Sequence, residues 1–299
     1  MDTQPLPPLV SVIIPTRNRV DKLVRCLESV YKSSYPRIEV IVVDDASEVP
    51  VEQAISGKFP GARFIRNPAR RLLSGSRNTG AAASLGEYLF FLDDDNVVDA
   101  GAIGGLVEGF FAGKMVAVSC PVIYYLAEPQ KVWTSYIVKS KFPGFYTLHT
   151  DVPKATSETF SFHNSFMVKS LAYEELKGLD WVNFPMRFAE VDFAHRLHAK
   201  GYRAVVNPAA RVWHDLGWSM VHIDSTRAYY TERNRMIVIK KYSPRREFVF
   251  YSICILPFVA GYYLLHHPLS SSDGRLKTAS SLLRGIVSGL TFRVTPAQN

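Results

Sequence analysis

The sequence predicts an α/β fold built on one mostly parallel central sheet, a single Rossmann-like domain followed by apolar and amphipathic C-terminal helices. Three observations predict it. Runs of pure hydrophobes alternate with segments of helical periodicity over the first hundred residues. Two of those runs stop abruptly at acidic clusters. The excess of positive charge is confined to a final quarter that also carries a long run without a formal charge. Strands alternating with helices require right-handed crossovers and hence a parallel sheet, in which ligands bind beyond the C-terminal ends of the strands.

Val10–Pro15 reads as a strand buried on both faces, and Asp21–Tyr31 as a helix with Leu23, Val24, Leu27 and Val30 on one side. Glu39–Val43 is a second buried strand ending in Asp44-Asp45, and Arg63–Ile65 a short third. The Ala-rich Gly75–Leu85 segment is helical, and Glu87–Leu92 is a fourth strand ending in Asp93-Asp94-Asp95. Further on, Val116–Val122 and Phe162–Val168 read as strands and Asp192–Lys200 as a helix. Arg203–Val206 and Arg211–Trp213 read as extended.

The 299 residues, 47% hydrophobic and 21% charged, suffice for one large α/β domain or two ordinary ones. Disorder is expected only in the Pro-rich Met1–Pro8 and the last few residues. The polar start does not have the pattern of a signal peptide. Cys26, Cys120 and Cys254 have no metal-ligand spacing and suggest no disulfide framework, so a reducing compartment is expected. Residues 1–226 hold 24 basic and 24 acidic side chains, whereas 227–299 hold 11 basic and three acidic. Such a segment suits nucleic acid, anionic lipid or phosphates, or is a solvated tail. Nucleic acid is disfavoured, because the charge accompanies an apolar run rather than interleaved aromatics.

That run, 248–265, is just long enough to cross a thin bilayer, although Pro257 and Gly261 argue against a straight span. After His266-His267 and a Ser-rich turn, Leu276–Phe292 repeats apolar residues at helical spacing. The expectation is a re-entrant or interfacial hairpin, with a pair of core helices as the alternative. The expected division is a domain over 1–240 and a membrane-associating helical segment over 241–299.

Three adjacent carboxylates at a strand end repel one another unless a cation joins them, and a hard ion such as Mg²⁺ or Mn²⁺ suits carboxylates together with substrate phosphates. Asp44 and Asp45 are placed to accept from a nucleobase N–H or a ribose hydroxyl, unless Asp45 or Ser47 caps a helix. Arg77, at a predicted helix start, points to a diphosphate, or is a surface arginine. Of Glu190 and Asp192, one favours the following helix N-terminus and the other is free to be a general base. His214, after a strand, is a candidate metal ligand or a structural histidine.

These motifs, in this order, resemble a family 2 glycosyltransferase with a GT-A fold. VSVIIPTRNR at 10–19 resembles the opening strand and nucleotide-facing loop, VVDDAS at 42–47 the acidic nucleobase site and SRNTG at 76–80 the Arg-Asn helix start. FLDDDN at 91–96 resembles the Asp-x-Asp strand end and AEVDFAHRLHAKGYR at 189–203 the acid-rich helix block. The resemblance implies that Pro15, Thr16, Asp44 and Asp45 hold nucleobase and ribose and that Asp93 contacts the nucleotide, with Arg17, Arg77 and Asp94 also in the donor site. It makes Asp95 and His214 metal ligands for Mg²⁺ or Mn²⁺, and Glu190 the catalytic base with Asp192 as competitor. The chain departs from the family's common acidic pair, having Ala189 at its first position and Glu rather than Asp at its second. Tyr229–Arg235 (YYTERNR) resembles an Arg-Asn segment of non-processive members, in which Arg233 or Arg235 would bind a donor or acceptor phosphate.

The implied activity is transfer of one sugar, with inversion, from a nucleotide-diphosphate sugar to an acceptor hydroxyl; the basic, apolar tail points to a lipid-linked or glycan acceptor at the cytoplasmic face of the cell membrane. The rivals are a non-catalytic membrane adaptor with a nucleotide pocket and a sugar nucleotidyltransferase. A dinucleotide-dependent oxidoreductase is disfavoured by the absence of a Gly-x-Gly-x-x-Gly after the first strand.

Overall fold

A computed structural model describes residues 6–55, 57–216, 224–266 and 274–294. The Ser-rich turn after His267 lies outside them. The chain alternates β1 (Val10–Thr16), α1 (Val20–Val30), β2 (Ile38–Asp44), α2 (Val51–Ala54), β3 (Ala62–Arg66), α3 (Leu72–Ala82), β4 (Tyr88–Phe91), β5 (Asn96–Val98) and α4 (Ala102–Gly109). It continues with β6 (Val116–Tyr125), β7 (Val132–Thr134), a small hairpin of β8 (Ile137–Lys139) and β9 (Tyr146–Leu148), then β10 (Ser157–Thr159), β11 (Phe166–Lys169) and α5 (Ser170–Glu175). α6 (Ala189–Ala199) and β12 (Arg203–His214) complete the sheet, and α7 (Ser225–Tyr242), α8 (Arg245–Phe250), α9 (Leu256–His266) and α10 (Arg275–Thr291) follow.

The main sheet runs β10-β12-β6-β11-β4-β1-β2-β3. β3, β2, β1 and β4 are mutually parallel, as the alternating pattern predicts. β11 enters antiparallel between β4 and β6, β12 pairs parallel with β6, and β10 closes the far edge antiparallel. The two extended segments expected at 203–206 and 211–213 are one strand, β12, whose register shifts between Asn207 and Arg211. The order reverses at β1, which has β2 on one side and β4 on the other. Such a switch point leaves a crevice beyond the strand ends. Register puts Thr16 opposite Asp44 and Ile13 opposite Phe91, so both acidic clusters open into that crevice.

Each sheet face has its own core. Leu23, Cys26, Leu27, Ile103 and Leu106 cover one face, and Phe91, Phe166, Tyr173, Phe193 and Leu197 the other. α3 lies so close to the sheet that a Cβ on Gly80 would stand 2.3 Å from Ile13 Cγ2. α7 joins two cores: Ile237 and Val238 belong to the second sheet face, while Ala228, Met236 and Ile239 pack with Tyr251, Leu256, Leu282 and Ile286. Continuous helix thus runs through the expected boundary at residue 240.

The tail is two helical segments, as expected. Between α8 and α9 the chain widens into a π-helical turn, Tyr251–Ile255. Pro257, lacking an N–H and crowding the carbonyl four residues back, accounts for it. α10 docks on α7 through two glycines: a Cβ on Gly285 would meet the Tyr229 carbonyl oxygen at 2.1 Å, and one on Gly289 the Arg233 backbone at 3.1 Å. Lys240 Nζ then donates to the Leu290 and Phe292 carbonyls at 2.6 and 2.9 Å, placing a cation at the negative end of α10. Among the described residues, no helix is long and apolar enough to cross a membrane.

Candidate active site

The crevice beyond β1, β2 and β4 collects the predicted residues in three linked groups. The first is at the end of β2. Asp44 accepts from Ser47 N and Val51 N at 2.8 and 3.3 Å and from Arg66 Nη1 at 2.6 Å. Burial alone would raise its pKa, but these donors hold the carboxyl below its ordinary value. Asp45 accepts from Arg71 N at 2.7 Å and Leu72 N at 2.9 Å, and from the Asn67 side-chain amide at 2.9 Å. It therefore caps α3 from the loop that follows β2.

That long-range cap explains why α3 begins at Leu72 rather than near Gly75. The SRNTG segment consequently lies inside the helix, and the anion-binding helix start expected at Arg77 is not there. Each of its residues has a structural partner instead. Ser76 Oγ accepts from Asn67, and Thr79 Oγ1 donates to Asn67 Oδ1. Asn78 Nδ2 donates to the Leu179 carbonyl, and Gly80 seats the helix on β1.

Arg77 forms the centre of the second group. It is fully buried, neither a surface arginine nor one free to reach a diphosphate. Its Nη1 donates to Glu190 Oε1 at 2.5 Å, and its Nη2 to Asp93 Oδ1 at 2.8 Å and the Asn164 carbonyl at 3.0 Å. Nε has no protein partner. One guanidinium thus orients two carboxylates that keep 14% and 19% of their side-chain surface. Burial, only partly offset by Arg77, raises the pKa of Asp93, and the neighbouring Asp95 charge adds to the effect.

The third group is Thr16, Arg19, Asp94, Asp95 and His214. Thr16 Oγ1 donates to Asp94 Oδ2 at 2.7 Å, and Arg19 Nη1 bridges Asp94 and Asp95 at 3.0 and 3.1 Å. Burial pushes the Asp94 pKa up to about 6 against the pull of Arg19. Asp95 is also buried, but the hydrogen bond and charge of His214, with Nε2 at 3.2 Å, hold its carboxyl below the ordinary value. The other ring nitrogen of His214 is buried without a protein partner. Trp133 packs between His163 and His214, with ring centroids at 4.7 and 5.1 Å. Of the remaining predicted residues, Pro15 is buried in β1 and Arg17 is exposed at its end.

Glu190 and Asp192 separate cleanly. Both lie in the first turn of α6, but Asp192 points away from the crevice and is fully buried. It accepts from Lys241 Nζ at 2.5 Å, Tyr242 Oη at 2.6 Å and Arg196 Nε at 2.9 Å. Ala189 is buried in the core, which explains an apolar residue there. Arg233 and Arg235, expected at phosphates, are turned to the protein. Arg233 Nη1 donates to the Asn183 carbonyl at 2.7 Å, and Arg235 Nη1 to that of Gly144 at 3.0 Å.

Sequence reasoning missed Arg19, Arg66, Arg71 and Asn164. The arginines follow or flank strand ends beside the acids, a signal that for Arg19 lies in the TRNR run at 16–19. Asn164 contributes a backbone carbonyl, which no side-chain pattern reveals. Backbone strain also marks the site. Of the six non-glycine residues with positive φ among the described residues, Asn18, Ala46, Leu72, Arg187 and Phe188 flank it, each at a cost of about 1–2 kcal/mol.

A parallel sheet with its switch point between two acidic strand ends, a mixed second half and an acid-bearing helix facing the crevice make up a GT-A fold. Residues 11–176 match glycosyl transferase family 2, and the chain belongs to that family. It is 30% identical over 228 residues to a pre-mycofactocin glycosyltransferase of Mycobacterium tuberculosis, covering 74% of this chain and 46% of that protein. It is 29% identical over 105 residues to the GalNAc(5)-diNAcBac-PP-undecaprenol beta-1,3-glucosyltransferase of Campylobacter jejuni, 34% of each chain. The fold superposes on the mannosyltransferase PcManGT of Pyrobaculum calidifontis, solved with GDP-Man and Mn²⁺. The TM-score is 0.57 at 16% identity, covering 96% of this chain and 76% of that one. The chain spans less than half the length of these curated relatives.

Proposed function

We propose that the protein transfers a single hexose-type sugar, with inversion, from a nucleotide-diphosphate sugar to a hydroxyl of a lipid-linked acceptor, and that Glu190 is the base. The observation that carries this is the Arg77 bridge, which holds Glu190 and Asp93 at one guanidinium, beside the Asp94–Asp95 pair. Glu190 removes the proton from the acceptor hydroxyl as the oxygen attacks the anomeric carbon. The electron pair of the broken glycosidic bond leaves with the nucleoside diphosphate. A base on the acceptor side and a leaving group on the other give inversion. Arg19 and Arg66, half exposed at the ends of β1 and β3, add positive charge on the donor side. Asp44 and Asp45, with Pro15, Thr16 and Arg17, are assigned to nucleobase and ribose.

Asp95 and His214 fit a divalent cation. His214 Nε2 faces the Asp95 carboxylate at 3.2 Å, a nitrogen–oxygen donor pair suited to Mn²⁺ and, with phosphate oxygens, to Mg²⁺. Among the described residues no group of three or more such ligands forms a complete cage, so donor phosphates would complete it. When bound, the ion neutralises charge on the departing diphosphate.

The tail supports a membrane-surface site of action, at the cytoplasmic face. Ile253, Phe258 and Leu276 are 69%, 80% and 88% exposed, and Arg245, Arg246, Lys277 and Arg284 share these helices. Such faces lie in the interface of anionic membranes rather than across them. The lipid-PP acceptor in the name of the Campylobacter relative agrees with this reading.

A panel of nucleotide sugars with Mg²⁺ or Mn²⁺ and a lipid extract, read as nucleoside diphosphate release, tests the activity. Glu190→Gln should bind nucleoside diphosphate normally and lose transfer; normal turnover by that variant would refute the base. Deleting the tail is a poor membrane test, because it would unroof Met236 and Ile239 on α7. Ile253→Glu with Phe258→Glu should instead reduce binding to anionic vesicles about tenfold or more with the fold intact; unchanged binding counts against the surface assignment.

A further inference from the structure

The Arg-Asn-Arg run of α7 is not used by the proposed chemistry, yet its middle residue is fully buried. Both donors of the Asn234 amide are engaged, Nδ2 reaching the Met186 carbonyl at 2.8 Å and the Arg187 carbonyl at 3.0 Å. Its Oδ1 accepts from Arg233 Nη1 at 2.6 Å, and the same nitrogen donates to the Asn183 carbonyl at 2.7 Å. The segment thus held is unusual. Arg187 and Phe188 are consecutive non-glycine residues at φ 55° and 63°, a left-handed pair that L side chains disfavour. Phe188 is also the residue from which α6 starts, and its carbonyl accepts the first helical bond, from Asp192 N at 2.9 Å. Glu190 is the second residue of that helix.

α7 grips the same helix start a second time. Lys241 and Tyr242 lie seven and eight residues beyond Asn234, two turns along the same face. Both bind Asp192 in the first turn of α6. One contact fixes the backbone entering α6 and the other fixes its first turn, so the direction in which Glu190 leaves the helix is set from α7. The opposite face of α7 is packed by α10 at Gly285 and Gly289 and by Tyr251, whose hydroxyl donates to Glu232.

We propose that Asn234 is a positioning residue: by holding the left-handed Arg187–Phe188 pair it aims the Glu190 carboxylate at the acceptor hydroxyl, and so makes the C-terminal helices part of the catalytic frame. This rests on the reading of Glu190 as the base. The residue touches neither donor nor acceptor, so its loss should leave donor affinity alone and lower turnover. Sub-ångström placement of a base controls the rate, whereas nucleotide contacts lie across the crevice at β1 and β2.

The test compares Asn234→Ala, Glu190→Gln and the double variant in the full chain, with transfer measured well below the melting temperature. Asn234→Ala should lower kcat about 10–100-fold with donor KM and nucleoside diphosphate affinity within about twofold of wild type. The double variant should be no slower than Glu190→Gln alone, since a base that is absent cannot be misplaced. Adding Arg187→Gly to Asn234→Ala should restore part of the lost kcat, because glycine adopts the left-handed conformation without a clamp. A kcat unchanged by Asn234→Ala, or a loss confined to melting temperature, overturns the positioning role. So does a multiplicative loss in the double variant. If Glu190→Gln alone turns over normally, the base assignment fails instead. Should Asn234→Ala not fold, Asn234→Asp keeps the volume and the bond from Arg233 but presents oxygen where both donors stood. It should show the same kcat loss, and wild-type kcat in that variant overturns the proposal.

Discussion

The crevice at the ends of β1, β2 and β4 and the Arg-Asn-Arg face of α7 carry the same kinds of side chain, but they spend them differently. In the crevice every acid is oriented by a protein donor, and Glu190 and Asp93 keep part of their side-chain surface open. Glu190 and Asp93 share Arg77, and Asp94 and Asp95 share the half-exposed Arg19. On α7, Glu232 and Asn234 are fully buried and every bond they make runs to protein. Carboxylates and guanidiniums do chemistry where the backbone leaves room for a ligand beside them, and architecture where it does not. Residue type and spacing alone do not separate the two.

The sharpest way to break that comparison uses two acids two residues apart. Glu190→Gln should cost about 10²–10⁴ in transfer rate and little stability, as loss of a general base does. Asp192→Asn should do the reverse. It leaves Lys241 and Arg196 without their buried counter-charge, so unfolding free energy should fall by about 3 kcal/mol while kcat of the folded protein changes far less. Denaturant unfolding beside nucleoside diphosphate release separates the outcomes. A catalytic loss in Asp192→Asn as large as in Glu190→Gln would erase the distinction between the crevice and the α7 face.

A smaller effect is expected at the second seam of α7. Gly285→Ala places a methyl 2.1 Å from the Tyr229 carbonyl oxygen, where only backbone movement can make room. The α7–α10 contact should lose about 1–3 kcal/mol, the usual cost of overpacking. Hydrogen exchange should accelerate in α7 and α10 while β1–β4 keep their protection. Equal acceleration in both regions would mean that the tail and the sheet unfold as one unit.

How far each region was legible follows from the same contrast. β1, β2 and β4 announce themselves because parallel strands buried on both faces are continuous hydrophobic runs, and the acids that end them mark the ligand side. The pairing of Asp95 with His214 and the nearness of Glu190 to Asp93 came from the family resemblance, not from periodicity. Arg77 lies inside α3 and pairs with Glu190 and Asp93, which local sequence does not show, because the Asp45 cap that starts α3 early comes from a residue 27 positions before Leu72. Arg233 and Arg235 suggest phosphate ligands in sequence, but their use on the Asn183 and Gly144 carbonyls is set by tertiary packing alone. The break of β12 into two expected segments reflects the bulge between Asn207 and Arg211, where local alternation is lost.

The smallest effect concerns pH and lies wholly on the architectural side. His195 stacks on Tyr242 with ring centroids 4.1 Å apart and pairs with the Tyr146 hydroxyl at 2.9 Å. Burial, reinforced by the charge of Lys139, lowers its pKa to about 4. The folded state therefore favours neutral imidazole, while the unfolded chain takes up a proton near the ordinary value of about 6.5. The sign follows: the stabilisation is complete above pH 6.5 and is lost as pH falls toward 4, because there the unfolded state binds more protons. Since His195 is only partly buried, the change should be on the order of 1 kcal/mol. His195→Phe, which keeps the ring stack and cannot titrate, should flatten the slope of unfolding free energy between pH 6.5 and 4. It should leave transfer at pH 7.5 within a few-fold of wild type, because its ring contacts are Tyr146, Phe160 and Tyr242 rather than the acids of the crevice. A slope that persists in His195→Phe would assign the acid sensitivity to other groups, His163 beside Trp133 first among them, since burial also lowers its pKa to about 4. That outcome would move the pH response from the α7 face to the wall of the crevice.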